Sequence, residues 1–329
     1  MRHIVNDFIH QAGVHCGSTA LADVMRYNGF SLSEPICFGL ACGLDFLYIE
    51  SDTASPSRFF NGRTHTMEPV LFQNIGMDIH WQSGDEFPAA AIKQNLDKNI
   101  PVLALTDLHY LEYYNTKTHF SLHGIVIAGY DDERRVFFVA DTERDGLQET
   151  SYDNLAHAMD SKEGSVPLAN HWMAIEQIPA FDLVVSMQKA IVMNAKRMLQ
   201  PPDQTSGLPA LRSFASRMEK WDQLPDWKWV ARFGYQVIEK RGTGGGAFRK
   251  MYATFLQEAE QLLKNESFRQ LQPSVKMNQL SLKWTDLAMV LKEISESDQP
   301  DFTPAVSIAR EIADSEQLFF ENIELAFRA

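Results

Sequence analysis

Residues 15–21 read HCGSTAL and lead into ADVMRYNG at 22–29. Ala20, Leu21, Val24 and Met25 fall on one face of a helix, and Gly29 suits the position just past a helix end, so the spacing predicts a helix over 16–28. Cys16 then sits in its first turn. There the unpaired amides and the positive end of the helix dipole favour a thiolate, which is how a thiol becomes a nucleophile. Farther along, HGIVIAGYDDERRVFFVADT at 123–142 predicts a strand from His123, a tight turn at Asp131 and Asp132, and a second strand ending in Asp141. A histidine and an acid on paired strands, offered to a cysteine at a helix start, match the roles in a Cys/His/Asp triad. Cys16, His123 and Asp141 are the candidate catalytic residues.

Outward from this core, SLSEPICFGLA opens a short helix in which Ser33 can cap and Pro35 fits the first turn. A strand over 45–50, a helix over 67–74, a strand over 77–82, a helix over 87–98 and a buried strand at 101–106 follow. Helices precede a sheet rather than alternating with strands, which is an α+β order. Beyond about 180 the chain turns rich in alanine, leucine and methionine, with helical periodicity over 181–199, 207–221, 226–240, 247–265, 280–296 and 303–327. The expected division is an α+β domain over 1–180 and a mostly helical domain over 181–329.

Composition narrows the function classes. With 45% apolar and 22% charged residues the chain reads as an ordinary globular protein. A formal charge of −13 argues against nucleic acid as partner, because such binding rests on clustered lysine and arginine. Three cysteines (Cys16, Cys37, Cys42) form no disulfide framework and suggest a reducing compartment. The opening MRHIVNDFIH lacks an apolar signal core and no window is long enough for a membrane span, so a cytoplasmic location is expected.

Each candidate has a plainer reading. Cys37 and Cys42, among Phe38, Leu40 and Leu44, read as small core residues. His119 competes with His123 as the base, since two-residue alternation places both on one face of a strand. His123 is preferred because it directly opens the apolar run. The pair His119 and His123 lacks a third ligand at usable spacing, so no metal is expected. His15 is expected to point away from Cys16 and to be structural. YLEYYNTK at 110–117 reads as an aromatic lid or a surface loop.

HCGSTAL, SEPICFGLACGLDFLYIE and HGIVIAGYDD together resemble the N-terminal domain of the butirosin biosynthesis protein H family over about 1–140. EKRGTGGGAFRKMYATFLQEA, with the later helix carrying Trp284, resembles the helical domain that often follows it. The resemblance implies a papain-like, C39-peptidase-like domain used for acyl transfer without a cofactor. Cys16 would take an acyl or aminoacyl group from an acyl carrier protein or coenzyme A thioester, His123 would act as base and then acid, and Asp141 would orient the imidazole. A small-molecule amine would accept the group. Papain-like enzymes place an oxyanion-stabilising glutamine six positions before the cysteine. Here that position is His10, with Gln11 next, so either side chain, beside the Cys16 amide, is the expected oxyanion donor.

In RGTGGGAFRK at 241–250, glycines expose amides beside Lys240, Arg241, Arg249 and Lys250. The segment lacks the strand before it and the Lys-Ser/Thr pair after it that would make a P-loop. It reads as an interhelical turn or as a donor-binding loop in which Lys240, Arg241, Gly244, Gly245 and Arg249 meet a phosphopantetheine phosphate. The expected function is a cysteine-dependent N-acyltransferase of specialised metabolism. The alternatives are a cysteine hydrolase (thioesterase, amidase or peptidase) on the same triad and a non-catalytic binding module.

Overall fold

The computed structural model describes residues 1–164 and 166–328. In chain order its elements are β1 Arg2–Ile4, α1 Cys16–Tyr27, α2 Glu34–Leu40, β2 Leu44–Glu50, β3 Arg58–Arg63, α3 Met67–Asn74, α4 Ala89–Asp97 and β4 Val102–Thr106. Then come β5 His123–Asp131, β6 Val136–Ala140, β7 Gln148–Ser151, α5 Tyr152–Met159 and β8 Trp172–Ala174. Helices make up the rest: α6 Leu183–Leu199, α7 Gly207–Arg217, α8 Trp227–Glu239, α9 Arg249–Leu262, α10 Glu266–Gln270, α11 Pro273–Glu296 and α12 Thr303–Ala326.

The chain forms two compact units, one of Met1–Cys37 with Gly76–Phe181 and one of Phe38–Ile75 with Asp182–Ala329. The late junction falls at 181/182, and residues 38–75 pack with the helices of the second unit. The cause is in their side chains. Phe46 of β2 and Phe60 of β3 are fully buried against Phe214 of α7, with ring centroids 5.2 and 4.7 Å away, and Phe46 lies 5.4 Å from Trp284 of α11. Burying such rings contributes about 1.5–3 kcal/mol each, so the hairpin is held where its aromatic face finds partners.

The first unit is α+β. Its sheet is antiparallel in the order β7-β6-β5-β4-β8, and β1 pairs with β5 at Gly129–Asp131, beyond the point where β4 begins opposite Ile127. β5 is buried along its whole length, as its unbroken run of small and branched apolar residues requires. Ile125, Ile127, Phe137 and Val139 share a core with Ile92 and Leu96 of α4 and Leu155 and Ala158 of α5. α1 is buried from Cys16 to Met25, and Asn28 and Gly29 end it, the glycine at φ +88°.

Residues 77–82, expected to be a strand, form none. Only Gln82 bridges, through paired 2.9 Å backbone bonds with Trp172, because no neighbouring strand continues the ladder. β1, β3, β7, α5 and β8 were not expected from the sequence. α5 does carry a local signal, the Ser151 side chain that accepts from the Asn154 amide at its start.

The second unit is the β2–β3 hairpin with the helices from α6 onward. The glycine loop between α8 and α9 is a tight run of left-handed residues from Gly244 to Phe248. At Gly246 (φ +57°) an added Cβ would lie 2.6 Å from the Ser281 carbonyl oxygen, so glycine is required for the close approach to α11.

Candidate active site

α1 begins at Cys16, and the residue before it is the helix cap. The His15 ring accepts from the Ser18 amide at 3.2 Å, a job usually done by Ser, Thr, Asp or Asn. Glu34, at the start of α2, fixes the approach. Its carboxylate accepts from the Val14 amide (3.0 Å), the His15 amide (2.8 Å) and the Ser18 hydroxyl (2.8 Å). Cys16 is thereby held on a rigid turn.

His123 opens β5, and Asp141 follows directly on β6. In the β5–β6 register Val126 faces Ala140, which puts His123 and Asp141 on a diagonal within reach of each other. His123 Nε2 lies 2.9 Å from both carboxylate oxygens of Asp141. His123 also hydrogen-bonds to Cys16, and with Nε2 on Asp141 the ring nitrogen left for that bond is Nδ1. Cys16, His123 and Asp141 are all buried.

Burial disfavours every charge here, so the partners decide the protonation states. For Cys16 the desolvation is overcome by the His15 ring beside it and the hydrogen bond from His123, which hold the thiol well below its ordinary range. His123, likewise opposed by burial, is raised to about 10 by Asp141 and Cys16. Asp141 is held below the usual carboxylate range against its own burial, chiefly by His123 and then by Tyr113 and the Thr142 amide. These directions favour a thiolate beside an imidazolium, with an ionised Asp141 next to it.

The acid is itself supported. Tyr113 and Tyr114 donate to its two oxygens at 2.7 and 3.1 Å, and the Thr142 amide donates at 2.7 Å. The Tyr114 ring stands edge-on to His123 with centroids 5.6 Å apart. Sequence reasoning gave the 110–117 segment as a lid or surface loop; two of its tyrosines instead lock Asp141. Their spacing offered no signal, since the contact depends on how the loop folds back.

The structure rearranges the remaining candidates. His10 is not placed as an oxyanion donor, because both ring nitrogens are spent: Nδ1 lies 2.5 Å from Asp23 of α1, and Nε2 lies 3.0 Å from the carbonyl oxygens of Asp141 and Arg144. It is a brace between α1 and the backbone at Asp141 and Arg144. The Gln11 side-chain oxygen accepts from Arg26 at 3.0 Å at the surface. His15, expected to point away, presents Nε2 at 4.0 Å from the Cys16 sulfur.

His119 is separated from His123 because Leu122, at φ +63°, breaks the alternation before β5 begins. It pairs instead with Asp107 at 2.8 Å and stacks on His109. Cys37 and Cys42 are fully buried. Burial pushes the Cys42 thiol up, opposite to Cys16.

Of the donor-loop candidates in the second unit, Arg249 turns fully inward, whereas Lys240 and Arg241 are exposed. Arg249 is fully buried and gives Nε and an Nη to the Glu316 carboxylate at 2.8 and 2.9 Å, with its other nitrogen on the carbonyls of Asp45, Gly62 and Ala247. It is structural and not open to a phosphate. The amides of Gly245 and Gly246 are taken by Thr243 Oγ1 and Glu239 Oε1. Arg241 donates to Gln236 at 2.8 Å and lies over the Phe233 ring. Gly244 lies in this same run of left-handed residues, and Lys240, at the end of α8, is exposed. Among the described residues no group of three or more His, Cys, Asp or Glu is placed to hold a metal ion, and no helix is long and apolar enough to cross a membrane.

The fold thus sets Cys16 at the start of α1 beside His123 and Asp141 on neighbouring antiparallel strands. No curated protein matches the chain. Among solved structures it is similar to a protein described as a C39-like peptidase from Bacillus anthracis, at 15% identity and a TM-score of 0.37, over 54% of this chain and 100% of that one. The model for the N-terminal domain of butirosin biosynthesis protein H matches residues 15–142, and that of a domain of unknown function, DUF4872, matches residues 153–323. The chain belongs to the DUF4872 family, whose model spans just over half its length, and the segment before it, which holds Cys16, His123 and Asp141, matches the N-terminal domain of butirosin biosynthesis protein H.

Proposed function

We propose that this protein is a cysteine-dependent acyltransferase that accepts an acyl or aminoacyl group from a carrier-protein or coenzyme A thioester on Cys16 and passes it to a small-molecule amine. The observation that carries this is the buried chain of hydrogen bonds from Cys16 through His123 to Asp141, whose partners hold the thiol pKa well below its ordinary range. The butirosin-family N-terminal match supports transfer over hydrolysis.

In the first half-reaction the Cys16 thiolate adds to the thioester carbonyl, and the electron pair moves to the oxygen. When it returns, the donor thiolate leaves with the proton from His123 Nδ1. One thioester replaces another, so the step costs little free energy. In the second, the amine attacks acyl-Cys16 while the now neutral His123 takes its proton, and the Cys16 thiolate departs. Asp141, fixed by Tyr113 and Tyr114, stabilises the imidazolium in both halves.

The test is incubation with an N-acetylcysteamine thioester, with and without an added amine, followed by peptide mass analysis. The expected result is the acyl mass on the Cys16 peptide and amide product only when amine is present. Release of free acid at the same rate with or without amine makes the protein a hydrolase. No acylation, with Cys16 alkylated no faster than Cys37 or Cys42, makes it a binding module.

A further inference from the structure

We propose that His15 is a second catalytic imidazole, whose Nε2–H holds the oxygen that turns negative as Cys16 attacks a carbonyl. This deepens the reading of Cys16 as the nucleophile and rests on it. The tautomer follows from the helix cap. His15 Nδ1 lies 3.1 Å from the Ser18 hydroxyl, whose hydrogen goes to Glu34, and 3.2 Å from the Ser18 amide; the amide hydrogen cannot be withdrawn, so as the cap acceptor Nδ1 keeps its lone pair. The ring hydrogen then belongs on Nε2, the atom 4.0 Å from the Cys16 sulfur. A carbonyl oxygen under attack is two bonds from that sulfur, so a donor at this range is placed to meet it. The Cys16 amide, first in α1, supplies the companion donor.

Rigidity supports the role. The cap fixes the His15 ring from one side, and Glu34 fixes its backbone from the other through the 2.8 Å bond to the His15 amide. The ring is buried and cannot swing to solvent. The side chains that sequence comparison nominated are engaged elsewhere: His10 between Asp23 and two carbonyls, and the Gln11 oxygen on Arg26. As the sulfur–carbon bond forms, the carbonyl pair moves onto oxygen and is held by Nε2–H without proton transfer. It returns to the carbonyl when the donor thiolate leaves with the His123 proton.

The experiment compares single-turnover acylation of Cys16 by an N-acetylcysteamine thioester with alkylation by iodoacetamide, in which no oxyanion forms on the attacked carbon. His15→Asn keeps a good helix cap but is too short to present the donor, whereas His15→Gln can return an N–H near the Nε2 position. Acylation by His15→Asn is expected to fall roughly 100- to 1,000-fold, the range for losing one oxyanion donor, with alkylation falling far less, since it loses only His15's share in holding the thiolate, and with partial recovery of acylation in His15→Gln. Equal losses in both reactions would assign His15 to the thiolate alone and overturn the proposal, as would undiminished acylation. Thermal melts of both variants confirm folding. A Cys16→Ser variant that is still acylated at the wild-type rate would refute the underlying nucleophile reading, a separate outcome.

Discussion

At the scale of single residues, the site works by setting two charges against their own burial. Cys16 is buried, yet His15 and His123 keep its pKa well below the ordinary thiol range. Its alkylation by iodoacetamide should therefore stay nearly flat from pH 6 to 8, whereas a thiol with an unshifted pKa speeds up roughly 100-fold over that interval. A steep rise measured at Cys16 would refute the ion pair. Asp141→Asn leaves the geometry in place but removes the charge that raises His123. We expect it to slow acylation roughly 10- to 100-fold and His123→Ala to slow it roughly 100- to 10,000-fold, both read by single-turnover kinetics. His119→Ala, paired with Asp107 away from the triad, should change acylation less than threefold.

At the scale of elements, His10 ties α1 to the end of β6. Burial lowers its pKa, but Asp23 and the two carbonyls outweigh this and raise it. A raised folded pKa means that its stabilisation is fully present below the unfolded value near 6.5 and fades as pH rises through the folded one. His10→Ala should cost about 2–3 kcal/mol at pH 6 in urea unfolding, and the gap from wild type should shrink toward pH 9. A gap independent of pH would mean that the ring braces the turn by packing alone. The α8–α9 loop makes a different demand, since its run of left-handed residues serves backbone approach to α11. Gly246→Ala should destabilise the protein by about 2 kcal/mol, because it adds both a clash and a strained φ.

For the molecule as a whole, the second unit is organised around a buried ion pair, Arg249 with Glu316, whose carboxylate also accepts from Trp284 Nε1 at 2.8 Å. The arginine reaches the carbonyls of Asp45 and Gly62, so the same side chain fastens the early hairpin to the late helices. Arg249→Met strands Glu316 and should cost about 3–5 kcal/mol in urea unfolding, while Lys240→Glu at the exposed end of α8 should stay within about 0.5 kcal/mol. Equal stability for wild type and Arg249→Met would overturn the structural role given to this arginine.

Much of this could be read in the chain before any coordinates. Cys16 in a first turn, the β5–β6 hairpin from His123 to Asp141, and most of the helices after 180 rest on local periodicity and turn chemistry, which neighbours in sequence dictate. The failures share one cause. The expected strand over 77–82 lacked a partner, Leu122 broke the alternation that linked His119 with His123, and the hairpin at 44–63 packed with helices more than a hundred residues away. His15, Tyr113, Tyr114 and Glu34 gained their places at the site, and Arg249 lost its expected one, through contacts that no spacing encodes. Local sequence selects a helix, strand or turn because backbone bonds and caps are short-range. Which buried charge meets which partner is settled only when folding closes the long loops, because a hydrogen bond has no strength until its two groups meet.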